Sequence, residues 1–433
     1  MTRHGHYALG GENPPKSTYY EQGKFGRMFP TLPPFATDTP TVRKALKELG
    51  KRGQNGIMDA KDDMDIVNNP NLARDLITNP ALSVNNPDNV DSAGKPVLTA
   101  GMTFLGQFLD HDMTFDPTSS LERQSDPESI QNFRNPLLEL DNLYGSGPGA
   151  SPHLYDQSAG GDGIKFLVEE IPGAAAVSAN GFARFDLPRN SQNTAIIGDP
   201  RNDENLIVSQ LHMSMLKFHN AVVDYAKAEL GLSDPGEVFA EAQRLVRWHY
   251  QWIIVHEFLE KTVGKSMVDD ILTNGRKFYQ WRNQPFIPVE FAGAAYRFGH
   301  SQVRPSYRSN FGPTPADINS QVFKLIFNDS LPDGPDPNDL RGGKRAPTRF
   351  IDWQTFFDFG DGRVRANEKI DAKLSTVLFD LVGFPPGDVQ SLAQRNLLRS
   401  LTFSLPSGQS VAKAMNVPLL DAVDLADLKP LKL

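Results

Sequence analysis

The chain has 433 residues, 39% of them hydrophobic, with 35 glycines and 33 prolines; that is ample for a buried core and too polar and loop-rich for a membrane protein. A net charge of −8, with no basic block, gives nucleic-acid binding little electrostatic support. The absence of cysteine excludes disulfides, thiolate-ligated iron, iron–sulfur clusters and cysteine-type zinc sites.

Residues 1–40 are rich in Pro, Gly and aromatics and read as an extended arm over a larger body. The opening MTRHGHYALGGENPPK lacks an apolar signal core, and no run approaches the roughly 18 apolar residues of a spanning helix. A soluble chain is expected, cytoplasmic as written, with secretion by another route left open. TVRKALKELGKRG (41–53) predicts a short helix stopped by Gly50 or Gly53. A second loop-rich stretch runs to about 91, so residues 1–94 are expected to form a loop-rich arm packed on a body of 95–433.

From Lys95 the chain reads TAGMTFLGQFLDHDMTF, where Met102, Leu105, Phe108 and Leu109 make a helical apolar face and His111 follows near its end. The strongest helical block is 203–263. Its first half keeps apolar residues at Leu206, Leu211, Met215, Phe218, Val222 and Tyr225 and closes at Gly231. Asp234-Pro235 then starts a second helix through Val246 and Trp252 to Gly264. Residues 329–347 form a polar loop, and strand signals are short and scattered. The class is mainly α.

Most of the nine histidines invite a structural reading. His212, His219, His249 and His256 lie in strongly helical segments. His111 stands apart, flanked by Asp110 and Asp112 with Gln107 one turn earlier. Alone, that cluster fits a metal-dependent phosphohydrolase or a solvated helix end equally well. Three further segments join it: DPRNDEN (199–205) puts Arg201 three residues before Glu204, AYRFGHSQVRP (295–305) puts His300 after Arg297, and RNLLRSLTFSLPSGQ (395–409) supplies Asn396, Arg399 and Gln409.

LDHD, PRNDE, YRFGH and RNLLR, in this order, resemble the animal-type haem peroxidase superfamily, which includes myeloperoxidase, lactoperoxidase and the cyclooxygenases. The resemblance extends from about residue 95 to 410. It implies a single large helical domain holding haem b. The lack of cysteine and the short length point to a bacterial member, with a place in the response to oxidative stress. By the resemblance, His111 is the distal base, Arg201 the distal arginine and Gln107 the pocket glutamine; His300 is the iron ligand. The family's asparagine acceptor for that ligand aligns, through Leu405-Pro406, with Gln409. Arg399 matches a propionate partner, and Arg297 and Asn396 are further cofactor contacts. Asp110 and Glu204 match the carboxylates that form ester links to haem, while Asn205 stands where a methionine would make a sulfonium link. Asp112, with Asn135, Leu137 through its carbonyl, Glu139 and Asp141, matches a Ca²⁺ site.

The implied reaction reduces hydrogen peroxide through a ferryl and porphyrin-radical stage and oxidises small phenolic or aromatic donors, halide or thiocyanate. No partner beyond these small molecules is implied, and oligomeric state is left open. A fatty-acid dioxygenase of the cyclooxygenase kind shares the haem site. Such enzymes carry a radical tyrosine three residues before the iron-binding His, where this chain has Arg297 and Tyr296 lies one position further back. A non-catalytic haem-binding protein would not require Arg201 and Gln107 beside His111.

Overall fold

The computed structural model describes residues 23–51, 74–75, 88–116, 131–158, 162–281, 285–327, 336–337, 339–382, 384 and 387–421. Parts of the expected arm (1–22, 52–73, 76–87) and of the polar loop (328–335, 338) lie outside the described residues. Helix α1 spans Pro40–Leu49: Thr39 caps it by accepting from the Val42 amide at 3.2 Å, and it ends at Gly50. Its Leu46 packs on Leu398 and Leu401. Strand β1 (Gly23–Gly26) pairs antiparallel with β2 (Gln131–Asn132) and parallel with β3 (Ile287–Pro288), so the described start of the chain is stitched to the body.

Helix α2 (Ala100–Met113) is the centre of the molecule. The sequence predicted one apolar face; the structure buries the helix almost all round, as expected for a helix lying between two layers of core. On one side Phe108 and Leu109 join Val208, Met213, Val223, Val246 and Tyr250. On the other, Ala100 and Phe104 meet Tyr307, Ile326, Phe356 and Val377. Gly106 permits close approach, since a Cβ there would stand 3.2 Å from the Phe258 ring and 3.6 Å from the Tyr296 hydroxyl.

The 203–263 block forms a helical hairpin. Helix α3 (Leu206–Ala228) is capped by Asn205, which accepts from the Val208 amide at 2.9 Å. Gly231, at φ +68°, makes the turn. Helix α4 (Pro235–Ile253) starts on Asp234, which accepts from two backbone amides, with proline in the first turn. Beyond it, Ile254–Leu259 is a π-helical turn, then Glu260–Val263 returns to α and Gly264 stops the run. The π turn widens the helix by one residue per turn and leaves Ile254 and Phe258 buried against the α2 core.

Helix α5 (Lys265–Asn274) follows, then the short α6 (Val289–Gly293), a 3₁₀ segment Ala295–Gln302 and the β4–β5 hairpin (Ser306–Asn310 with Val322–Leu325). Helices α7 (Leu392–Thr402) and α8 (Gly408–Ala414) close the chain. No helix among the described residues is long and apolar enough to cross a membrane.

His219 is buried in α3 among Tyr144, Phe166 and Phe239. Its Nε2–H donates to the Ile164 carbonyl at 3.0 Å, and the Tyr144 hydroxyl donates to Nδ1 at 3.1 Å. Burial pushes this imidazole down to about 4, outweighing the Ile164 bond. Between that value and the unfolded value near 6.5 the unfolded chain binds the proton and the folded one does not, so stability falls as pH drops through the window. Urea melts from pH 7 to 4 are expected to show a His219→Gln variant with a slope shallower by about one proton, ~1.4 kcal/mol per pH unit; an unchanged slope would refute the assignment.

Candidate functional site

The motif residues converge where α2, the 199–205 turn and the 295–302 segment meet. His111, 5% exposed, sits in the last turn of α2. Its Nδ1 lies 2.7 Å from Asn202 Oδ1. An amide oxygen only accepts, so Nδ1 carries the proton and Nε2 keeps its lone pair. Burial, and then the charge of Arg201, push the ring down to about 4, which keeps it neutral at ordinary pH. Asn202 in turn donates from Nδ2 to His212 Nδ1 at 2.9 Å. His212 is fully buried and pushed down to about 3 by that burial.

The 199–205 turn is built on Asp199, a fully buried carboxylate. It caps the 3₁₀ turn Pro200–Asp203 by accepting from the Arg201 amide, and it pairs with Arg134 at 2.7 Å and Arg201 at 2.8 Å. Burial would raise its carboxyl, but the two guanidiniums hold it below the usual carboxylate range. Arg201 also donates to the carbonyls of His111, at 3.0 Å, and Thr114, and lies over the Phe115 ring. It therefore clamps the end of α2 while carrying its charge beside His111. Glu204 accepts a hydrogen bond from Gln107, whose Oε1 accepts from Asn205 Nδ2 at 3.1 Å. Glu204 is open to solvent on one side and crowded by protein on the others; burial, with Asp110 and Asp199 near, raises its carboxyl to about 7 against the pull of Arg201. The sequence treats 329–347 as a plain polar loop, yet Gly342 donates its amide to the Glu204 carbonyl at 2.9 Å. A Cβ on Gly342 would lie 1.5 Å from the Asp203 carbonyl oxygen, so only glycine fits there.

His300 occupies the 3₁₀ segment opposite α2. Tyr296, on the same segment, donates from its hydroxyl to the Gly106 carbonyl at 2.9 Å and ties the two elements together. Burial and then Arg297 push the His300 ring down to about 3. The amide on His300 is Asn396, whose Nδ2 is 2.9 Å from Nδ1. The expectation for Gln409 is corrected here: it donates to the Leu420 carbonyl at 2.8 Å and accepts from the Leu420 amide at 3.1 Å. Helix α7 ends at Thr402, Ser404 turns through φ +51°, and Gln409 falls on α8, where it ties down residue 420 instead. Asn396 and Arg399, three apart on α7, share one face. Arg399 is pushed down to about 10 by burial and then by Arg297, while Arg297 donates to the Ala292 carbonyl at 2.9 Å.

The expected cation loop is bent on itself. Leu138 and Leu140 adopt φ +57° and +61°, left-handed values that cost a branched residue energy. Asn135 donates to Glu139 at 3.1 Å and Asp141 at 3.0 Å, and the Leu137 carbonyl accepts from Gln251 at 3.3 Å. Asp112 accepts from the Leu140 amide through Oδ2, whereas its buried Oδ1 has no hydrogen-bond partner. Burial and then Asp141 raise Asp112 to about 7; burial and then Glu139 raise Asp141 to about 6. Among the described residues, no group of three or more His, Asp or Glu side chains is close enough to hold a metal ion as it stands.

The donor set suits a haem. It offers a neutral imidazole on each of two tied elements, and two guanidiniums, Arg297 and Arg399, whose mutual repulsion an anionic group would relieve. Three participants were not singled out in the sequence: Asp199, Asn202 and His212. The first two adjoin Arg201 in DPRNDEN, a local signal available in principle. His212 carries no such signal, because only the packing of α3 on α2 brings it to Asn202.

Residues 138–332 match the animal haem peroxidase family model. The chain is 29% identical over 135 residues to heme peroxidase 2 of Caenorhabditis elegans, covering 29% of this chain and 19% of that protein. It is 25% identical over 192 residues to mouse thyroid peroxidase, covering 42% and 21%. The aligned stretch thus spans about a fifth of each relative's length. In fold, the chain is similar to peroxidase A of Dictyostelium discoideum (TM-score 0.54, 17% identity, 99% of this chain and 83% of that one). It is equally similar to a fatty acid alpha-dioxygenase of Arabidopsis thaliana (0.54, 14%, 92% and 64%).

The contrast between Asn396 and Gln409 is measurable. Asn396→Leu is expected to weaken haem retention roughly 10–100-fold, the usual cost of losing the partner of a ligating histidine, whereas Gln409→Ala should leave it within about twofold. Haem titrations followed at the Soret band decide this; equal losses in both variants would contradict the assignment.

Proposed function

The chain carries an animal haem peroxidase domain, and from that premise we propose that it reduces hydrogen peroxide while oxidising small phenolic or aromatic donors, halide or thiocyanate. Haem b, which His300 would hold as the iron ligand, would supply the redox chemistry. The observation that carries the reading is the state of His111: buried, neutral, with Nδ1 engaged by Asn202 and Nε2 left free. With haem bound, a free Nε2 would take a proton from hydrogen peroxide and return it to the other oxygen as the O–O bond breaks, so that this oxygen leaves as water, with the two electrons and the acceptor for the remaining oxygen supplied by the haem. Arg201 supplies fixed positive charge beside that transfer, partly balanced by Asp199. Gln107, braced by Glu204 and Asn205, orients the incoming molecule.

His300 is the iron ligand of this reading. As placed, Asn396 Nδ2 faces Nδ1 and leaves the proton on Nε2. A half-turn of the amide presents Oδ1 instead, moves the proton to Nδ1 and frees Nε2 to bind metal. Arg297 and Arg399 receive the propionates. Asp110 and Glu204 are the carboxylates for ester links, and Asp112, Asn135, the Leu137 carbonyl, Glu139 and Asp141 hold Ca²⁺. The unpartnered Asp112 Oδ1 and the raised carboxyls around it favour a cation there.

The likeness to a fatty acid dioxygenase concerns the fold alone. Two features favour the peroxidase: Arg297 stands three residues before His300, and the Tyr296 phenol is committed to the Gly106 carbonyl.

Purified protein is expected to show a Soret band and to oxidise a phenolic dye only when peroxide is present. His111→Ala should slow the peroxide-dependent step by about 10²–10⁴ while keeping the Soret band; an unchanged rate, or a chain that takes up no haem, would overturn the reading. In a companion measurement, Asp112→Asn should abolish the rise in melting temperature given by calcium, and joint Asp110→Asn and Glu204→Gln should release all haem into acid acetone. A calcium response that survives Asp112→Asn, or colour left on the doubly substituted chain, would remove those residues from their roles.

A further inference from the structure

The buried relay His111–Asn202–His212 is not needed to bind a haem, and the peroxidase reading uses the contact of Asn202 with His111 without assigning a role to His212 or to what holds the Asn202 amide in place. We propose that Asn202 and His212 are positioning residues that fix the tautomer of His111: His212 anchors the Asn202 amide so that its oxygen always faces His111 Nδ1, leaving His111 Nε2 as the base.

The argument is one of donors and acceptors. A neutral imidazole has one N–H, and in water its position exchanges freely. At His111 the partner of Nδ1 is an amide oxygen at 2.7 Å. Oxygen cannot donate, so the proton is held at Nδ1. That constraint works only if the amide cannot turn over, because a half-turn would present Nδ2, which donates, and would drive the His111 proton onto Nε2. His212 couples to that turn, since a flipped amide would require both rings to exchange their proton positions. Its Nδ1, 2.9 Å from Asn202 Nδ2, accepts from the amide and so requires its own proton on Nε2.

Asn202 and His212 are sealed from water at 0% exposure, and His111 is 5% exposed with its Nδ1 turned to Asn202. Solvent therefore cannot supply substitute bonds, and a change of one member's orientation forces a change in the others. The geometry also accounts for a cost: His212 Nε2 is buried without a hydrogen-bond partner, facing apolar surroundings that include the Phe108 ring at 6.1 Å between centroids. An unpaired buried N–H is expensive and is tolerated where it holds a required arrangement. Asn202 can take this place because Asp199 and Arg201 pin the 3₁₀ turn it sits on.

The catalytic consequence rests on the peroxidase reading; the tautomer does not, and the experiment separates them. The full chain, labelled with ¹⁵N-histidine, is compared by long-range ¹H–¹⁵N correlation with and without diamagnetic zinc protoporphyrin, and the rate of the peroxide-dependent step is measured on the haem-loaded chain. The expected result is His111 protonated on Nδ1 and His212 on Nε2. In Asn202→Asp, which offers only acceptors in the same shape, His111 keeps Nδ1–H while His212 switches to Nδ1–H. In Asn202→Leu, His111 loses its Nδ1–H and the peroxide-dependent rate falls roughly 10–100-fold with the Soret band unchanged. His212→Leu is expected to give mixed tautomers at His111. Wild-type His111 protonated on Nε2, or Asn202→Leu and His212→Leu that leave its tautomer untouched, would overturn the proposal. If Asn202→Leu fails to fold, the isosteric Asn202→Asp decides by the His212 switch alone. Expected tautomers in a chain that shows no peroxide-dependent activity would leave this proposal standing and sink the peroxidase reading.

Discussion

The geometry of the whole site hangs on one buried carboxylate. Asp199 has no contact with water and is gripped by two guanidiniums, Arg134 and Arg201. Arg134 reaches back to the Phe133 and Gly198 carbonyls, and Arg201 reaches the last turn of α2 at His111 and Thr114. A single charge therefore joins three stretches of chain that are far apart in sequence. Pairing keeps it ionised despite its burial, and losing one partner of such a group typically costs about 3–5 kcal/mol, because the remaining charge is left stranded. Asn202, Glu204 and Asn205 inherit their positions from that turn.

The site holds two histidines, one on α2 and one on the 3₁₀ segment packed against it, and each is addressed at Nδ1 by an asparagine: Asn202 for His111 and Asn396 for His300. Burial makes both rings neutral, so the amides need not contend with charge. They decide only where one proton sits. The same residue type presents opposite ends: Asn202 turns its oxygen to His111 and leaves Nε2 bare, while Asn396 turns its Nδ2 to His300 and leaves the proton on Nε2. The tie from Tyr296 to the Gly106 carbonyl sets the two histidine-bearing elements against each other, and the missing side chain of Gly106 makes room for the Phe258 ring beside it.

Much of this was legible in the chain itself. The apolar spacing of 102–109, the Gly231 stop and the Asp234-Pro235 start marked α2, α3 and α4, because capping and periodicity are local properties. Four short motifs in order were enough to single out His111, Arg201 and His300. Direction was harder to read. Arg201 reads as a charge aimed into a pocket, yet its fork closes on Asp199 and two carbonyls, since those acceptors lie within its reach only in three dimensions. Gln409 was misplaced for a related reason: the turn at Ser404 carries it onto a separate helix, and Asn396, thirteen residues earlier, faces His300. The π turn after Ile253 and the meeting of His212 with Asn202 depend on packing between elements and leave no mark in the spacing of either.

Gly342 gives the 339–342 segment a lever on this interior. Its backbone lies against the Asp203 carbonyl so tightly that even a methyl group has no room, and its amide holds the Glu204 carbonyl. The turn bearing Asn202 and Glu204 is consequently a wall shared between the site and the segment around residues 339–342. Drift in that segment, whose Asp339 and Leu340 are themselves buried, cannot be absorbed by slack at Gly342; it must appear as a displacement of the turn itself. Insertions and substitutions beyond this contact thus have a mechanical route to Asn202 and Glu204, and can shift the site without replacing any residue in it.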